Sequence, residues 1–389
     1  MSAPREPVFE LIYEGRNVTN ELAMWPVDIT YTDHHHGKAD EVSVKVHNST
    51  GEWLDAWSPE EGDKFELNYG YKDSPLVPAG EFTVDETSAS GDANGDTVDF
   101  KGLSAPKTEE LRTEKHRAYE DQSLSDIVGK IAQEHGFEQE GEIEDIKFGR
   151  ITQNGERDLS FLRRLADDYG HYFKASGKRL VFTSRDALRS EEPVRTYDRL
   201  TDVGQRLKSY SLRNADHVAA KKAEVTYMHP QRKKTIRGEA SSADDLGLMT
   251  ASGDIVKLEV RVEDEDQAKR VARSRLDQKN SPKYAGSLDL VGDEGVVAGI
   301  VIELVNFGRY SGKYLVTSSK HSMSRSGYPT SVEIEGLTDK QAADGKKASG
   351  KTKKSGNTAK TKKTDGSGGS SSSGTSLGIM GADGVIRPE

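Results

Sequence analysis

The sequence predicts a mainly β protein with an α+β insert, and three observations carry that expectation. Apolar and polar residues alternate with a period of two over roughly residues 8–103 and again after residue 201. Between about residues 106 and 200 the apolar residues recur instead at spacings of three and four. Gly, Asn and Asp punctuate the alternating runs, as turns require. The expected organisation is a first β domain over residues 1–105, an α+β insert over 106–200, a second β domain over 201–340, a Lys/Gly/Ser-rich linker over 341–375 and a terminal docking peptide over 376–389.

In the first domain the strand runs are Phe9/Leu11/Tyr13, Val27/Ile29/Tyr31, Val42/Val44/Val46, Phe65/Leu67/Tyr69 and Val98/Phe100. Short strands with one apolar face favour a closed or nearly closed antiparallel barrel or sandwich. In the insert, Leu124, Ile127, Val128, Ile131 and Ala132 form one helical stripe, with Ser123 placed to cap it and Gly136 to end it. A second helix is expected over 157–169, with Leu159, Leu162, Leu165, Ala166 and Tyr169 on one side and Gly170 as its stop. Tyr172 and Phe173, then Leu180, Val181 and Phe182, flank Ser176 and Gly177 as the arms of a hairpin. The second domain opens with Val225/Tyr227 and Ile255/Lys257/Glu259/Arg261 as strands, then a charged helix over about 263–278 carrying Ala268, Val271, Ala272 and Leu276. Strands over 287–290, 301–305, 314–317 and 332–334 complete it. Two β-rich blocks flanking a helical insert suggest duplication at the level of the fold.

Bulk properties narrow the function. A chain of 389 residues exceeds what one hydrophobic core supports, about 250–300 residues. Hydrophobic residues make up 33% and charged residues 31%, so much apolar area is expected to be covered by neighbouring chains. Cysteine is absent, which excludes disulfides and thiolate metal sites and fits synthesis in a reducing cytoplasm. The opening Met1-Ser-Ala-Pro-Arg-Glu-Pro7 has no apolar signal-peptide core, and no stretch approaches the ~18 apolar residues of a membrane span, so no membrane partner is expected. A formal charge of -10 opposes a general nucleic-acid-binding surface.

Candidate chemistry is sparse. His34, His35 and His36 lie beside Asp33 and Asp40, but successive strand residues face opposite ways, so the segment reads as a solvated loop and not a metal site. His321 follows a strand pattern and is expected half-buried or at an interface, without a partner that would make it a catalytic base. Glu109/Glu110, Asp167/Asp168 and Asp264/Glu265/Asp266 read as solvated helix faces. No phosphate-cradling Gly-x-x-x-x-Gly-Lys-Ser/Thr sequence occurs, so no catalytic, cofactor-binding or metal residue is assigned and no cofactor is expected. In the tail, Leu377, Ile379, Met380, Val385 and Ile386 follow the Lys-rich linker and read as a partner-docking peptide.

Three stretches carry a family resemblance. They are Glu61-Gly-Asp-Lys-Phe65 with Gly80-Glu-Phe-Thr-Val-Asp85; Gln153-Asn-Gly-Glu-Arg-Asp-Leu-Ser-Phe-Leu-Arg-Arg-Leu-Ala166 with Asp168-Tyr-Gly170; and Ala268 to Leu276 followed by Gly299-Ile-Val-Ile-Glu303, Gly312-Lys-Tyr-Leu-Val-Thr-Ser-Ser-Lys-His321 and Gly327-Tyr-Pro-Thr330. In this order they resemble the phage late control gene D protein family, which shares its fold with the hub portion of the type VI secretion valine-glycine repeat protein G. The resemblance spans residues 8 to about 337. It implies two tail-tube-like β-barrels per subunit and a homotrimeric ring at the centre of a contractile tail baseplate. That ring would join the hexameric tail tube to a trimeric spike and touch other baseplate proteins, with DNA present only in transit through the lumen. The helix after Ser123 is similar to a LysM-like element, which elsewhere binds peptidoglycan. Within the motif, Phe161, Leu162 and Leu165 are expected in packing, and Arg163 and Arg164, like Arg157, are expected free for ion pairs between subunits. The protein implied is a virion component assembled in the host cytoplasm, not an enzyme, with its spike on a separate polypeptide. A hub of a phage-tail-like bacteriocin or secretion machine is the alternative of the same fold. A tail-associated peptidoglycan hydrolase or glycan-binding accessory is the alternative of a different class.

Overall fold

The strand Gly312–Met323 is shared by two β units. Its first half pairs with Val301–Val305 (Val301 opposite Leu315), and its second half pairs with Val27–His34 (His321 opposite Tyr31). Pro329–Gly336 runs antiparallel along its other side, with a register shift between Val316 and Ser318. Such an irregularity bends a strand and increases its twist, and here it falls where the strand passes from one β unit to the other. The expected β-rich blocks are therefore parts of one 13-stranded sheet. The computed structural model describes residues 5–23, 27–93, 95–104, 109–215, 220–229, 233–241 and 252–337.

The first β unit is antiparallel and contains Pro7–Tyr13, Val27–His34, Glu41–His47, Lys64–Tyr71, Val77–Asp92 and Gly95–Leu103. The alternation read from the sequence is the burial pattern: Val42, Val44 and Val46 are buried while Lys45 is exposed between them. Leu11, Ile29, Phe65, Leu67, Phe82 and Phe100 complete this core, each contributing on the order of 1.5–3 kcal/mol by leaving water. The second β unit contains Arg195–Asp198, Leu207–Asn214, Tyr284–Val291, Val301–Val305, the first half of Gly312–Met323, and Pro329–Gly336. Its own core is built on Leu207, Leu288, Leu290, Ile302, Val316, Val332 and Ile334.

In the insert, the helix Leu124–Glu134 is capped by Ser123, whose hydroxyl accepts from the Asp126 N–H while the Asp126 carboxylate accepts from the Ser123 N–H. Asp158–Tyr169 ends at Gly170, held at φ 75°, a left-handed conformation that glycine adopts without strain. The hairpin His171–Ser176 and Arg179–Ser184 follows.

The placement of residues 220–280 differs from the expected division at residue 201. Ala223, Val225, Ile236, Val271, Ala272 and Leu276 share a core with Leu124, Ile131, Phe161, Leu165 and Phe182 of the insert, not with the second β unit. The physical reason is the helix Glu265–Asn280. It lies so close on Lys234–Ser241 that a Cβ on Gly238 would sit 2.2 Å from the Ala268 backbone. Its other side meets the insert helix, with Ser274 Oγ donating to the Asp167 carbonyl at 2.7 Å. The strand expected to run through Glu259 and Arg261 ends at Leu258. Among the described residues, no helix is long and apolar enough to cross a membrane.

Candidate functional site

The motif from Gln153 to Ala166 folds into a corner between two strands and a helix. Lys115–Ser123 and Lys147–Glu156 pair antiparallel, and Asp158 opens the helix that follows. Asp158 is fully buried and accepts from Lys115 Nζ at 2.5 Å, His135 Nε2 at 2.7 Å, Gln153 Nε2 at 2.8 Å and Arg117. Burial alone would push its carboxyl up, but the bonds from Lys115, His135 and Gln153 with the Arg117 charge hold it down to about 2. Gln153 also donates to the Glu156 carbonyl at 2.8 Å. The recognisable Gln-x-x-Glu-x-Asp spacing thus records a buried polar network that fixes the helix start.

Glu134, His135 and Asp158 bring donor atoms within 4.8 Å of one another. Lys115 and Arg117 already supply the positive charge that a metal ion would bring, so the trio belongs to a salt-bridge network. Phe161, Leu162 and Leu165 are fully buried, with Phe161 stacked on Tyr119 at 5.6 Å. Arg164 is not free for a neighbouring subunit: it grips Glu156 with Nε at 2.8 Å and Nη2 at 2.9 Å and also donates to the Thr152 carbonyl. Arg163 donates to the Gly37 carbonyl at 3.2 Å.

That last contact leads to a second cluster, where both β units and the insert meet. The expected solvated loop His34–His36 is packed inside it. His35 is buried against Tyr172 with ring centroids 4.3 Å apart, and burial pushes its imidazole down to about 3. His36 Nδ1 accepts from the Phe173 N–H at 3.0 Å, and its Nε2 faces Asp167 at 3.3 Å. Lys174, from the insert hairpin, donates to both Asp33 and Asp40. Asp33 also accepts from the Ala298 N–H of the second β unit at 2.8 Å, and Asp40 accepts from Ser176 Oγ at 2.9 Å. Burial and the neighbouring Asp40 push Asp33 up to about 6 despite Lys174. The loop is drawn inward because the histidine rings and short polar bonds close a three-way seam that an exposed loop would leave open.

Two other expectations change in the same way. His321 is fully buried, accepting or donating at Ser319 Oγ (2.8 Å) and the Tyr328 hydroxyl (2.7 Å), and burial pushes it down to about 4. Asp168 is buried and bonded to Arg275 at 2.5 Å, while Asp264 caps its helix by accepting from the Gln267 N–H. Periodicity could not reveal these partners, because Arg275 and Asp168 are 107 residues apart. A cleft of about 540 Å³ lies between the first β unit and the insert, lined by Ala79, Glu81, Glu134, His135, Phe137 and Lys178 among others. His135 and Phe137 are the aromatic rings of its described lining, and Phe137 is buried. Leu377, Ile379, Met380, Val385 and Ile386 lie outside the described residues.

Comparison with known proteins places this arrangement. The model of the family described as phage tail baseplate hub (GPD) matches residues 109–327, which includes the buried Asp158 network and the shared strand. A probable baseplate hub protein of Escherichia phage 186 is 22% identical over 375 residues, covering 85% of this chain and 92% of that protein. The solved 43 kDa tail protein of prophage MuSo2 from Shewanella oneidensis has a similar fold, with a TM-score of 0.64 at 13% identity over 84% of this chain and 97% of that one. An E. coli component of the type VI secretion system shares the fold more distantly, with a TM-score of 0.50 at 12% identity, covering 81% of this chain and 75% of that one.

Proposed function

The chain belongs to the phage tail baseplate hub family, and from that premise we propose that three copies form a ring joining the tail tube to a trimeric spike. The family is a structural one, and its members are virion components. One observation supports the finer reading above the others: the strand Gly312–Met323 carries one sheet through two β cores. A subunit built this way presents two β units in fixed relation, so three copies present six, matching a sixfold tube while keeping threefold symmetry for a spike.

The ring's partners in this reading are the tube protein, the spike and other baseplate proteins, met during assembly in the host cytoplasm. Its lumen is neutral or acidic, in keeping with the net charge of -10, so that DNA passes without adhering. Light scattering of the purified chain, alone and with its spike, tests the stoichiometry. Three copies per ring are expected, and a monomer inside assembled particles overturns the proposal. The same chain is expected to leave a peptidoglycan gel uncleared, since each buried carboxylate cluster described above is tied up by Lys or Arg. Clearing would favour the hydrolase reading instead.

The fold similarity to the type VI secretion component favours one further reading, a hub of a secretion machine or tail-like bacteriocin. Neighbouring genes for capsid and terminase distinguish the phage from these.

A further inference from the structure

We propose that the first β unit carries a saccharide site, a cavity of about 460 Å³ that holds a neutral pyranose ring against tryptophan. The site stands apart from the ring reading and does not depend on it. Its aromatic wall follows from a short stretch of sequence. After Gly51, held at φ 82°, the chain makes the single turn Glu52–Leu54. The Trp53 N–H donates to Asn48 Oδ1 at 3.1 Å and the Trp57 N–H to the Glu52 carbonyl at 2.9 Å. The two indoles end up 5.7 Å apart and nearly perpendicular. Trp57 is 39% exposed and Trp53 is buried, so one ring is accessible while its neighbour holds it in place. Tyr13 and Phe100 form a second perpendicular pair in the same lining, 6.2 Å apart. The Tyr13 hydroxyl is fixed by donating to Asp63, so the wall is in place before a ligand arrives.

The polar groups of the same lining select the ligand's chemistry. They are Glu14, Arg16, Glu21 and Ser58. Arg16 Nη2 donates to Glu21 Oε1 at 2.7 Å, and Glu14 accepts from the Lys64 N–H at 2.5 Å. An anion would meet two carboxylates and a single guanidinium that is already paired. An apolar side chain would cover the rings but strip water from Glu14 and from the Arg16–Glu21 pair without replacing its bonds. A lysine-type cation suits Glu14 and the indole faces, yet it offers donors alone and nothing for Arg16 to donate to. A pyranose meets both halves of the lining. Its C–H face lies flat on an aromatic ring, while its hydroxyls donate to carboxylates and accept from a guanidinium. The size agrees, since small-molecule sites span roughly 300–1,000 Å³.

The test is calorimetric titration of the full-length chain with cellotriose, chitotriose and maltotriose, and with N-acetyl-lysine amide as the cationic control. At least one of the sugars is expected to bind once per chain with a millimolar or tighter Kd, and the lysine amide is expected not to bind. Trp57→Ala should weaken the sugar at least tenfold, while Trp57→Tyr, which restores a ring, should keep most of the affinity. Arg16→Met leaves the rings in place and gives a second reading should Trp57→Ala not fold. It too should weaken binding at least tenfold. Absence of binding by all three sugars overturns the proposal, as does a sugar whose affinity neither Trp57→Ala nor Arg16→Met changes. Binding of the lysine amide in preference to the sugars would make the cavity a cation site and overturn it equally.

Discussion

Lys174 and Asp33 are joined by a buried ion pair across 141 residues of sequence, and the same carboxylate accepts from Ala298. One aspartate thus ties the insert to both β units. Removing the cation while keeping its packing, as in Lys174→Met, leaves Asp33 and Asp40 buried together without a counter-charge. A loss of about 3–5 kcal/mol is expected in urea unfolding, as for other buried pairs stripped of one partner. A loss below about 1 kcal/mol would show that water reaches the seam.

The two buried aspartates should pull stability in opposite directions with pH. Asp33, pushed up to about 6, holds its proton more tightly in the folded chain than in the unfolded one. Its contribution therefore grows as pH falls from about 6 towards the unfolded value of about 4. Asp158, held down to about 2, stabilises fully above about pH 4, and that contribution fades as pH falls towards 2. Melting curves from pH 7 to 3 should show Asp33→Asn flattening the upper window and Asp158→Asn the lower one. Parallel shifts of the whole profile would contradict both assignments.

Gly238 is required by distance. A Cβ there meets the Ala268 carbonyl carbon at 2.2 Å and the Lys269 nitrogen at 2.4 Å, both backbone atoms that cannot rotate away. Gly238→Ala should lower stability by about 1–3 kcal/mol by forcing the helix Glu265–Asn280 off its strands. An unchanged melting temperature would mean the helix shifts freely.

The sequence places Leu377, Ile379, Met380, Val385 and Ile386 after the Lys/Gly/Ser-rich residues 341–375. Three weak apolar contacts on one ring would act together through effective concentration. Deleting residues 376–389 should leave the body folded but reduce co-elution with a tail partner, most readily the spike, and reduce infectivity. Equal retention and infectivity would make the segment dispensable.

Local order was legible in the sequence because it depends on neighbours along the chain. Alternation placed Val42, Val44 and Val46 on one face, and the spacing of Leu124, Ile127, Val128 and Ile131, with Ser123 and Gly136, bounded a helix. The spacing of Gln153, Glu156 and Asp158 marked the family, though not the reason for it. What only the tertiary structure decided are the long-range partnerships. A charged residue looks solvated in sequence unless its counter-ion is near, and those of Asp33, Arg164 and Asp168 include partners on other elements, up to 141 residues distant. The same holds for the strand Gly312–Met323. Its alternation identifies it as a strand, but only hydrogen bonding to Val27–His34, contributed from the other end of the chain, turns two β blocks into one sheet.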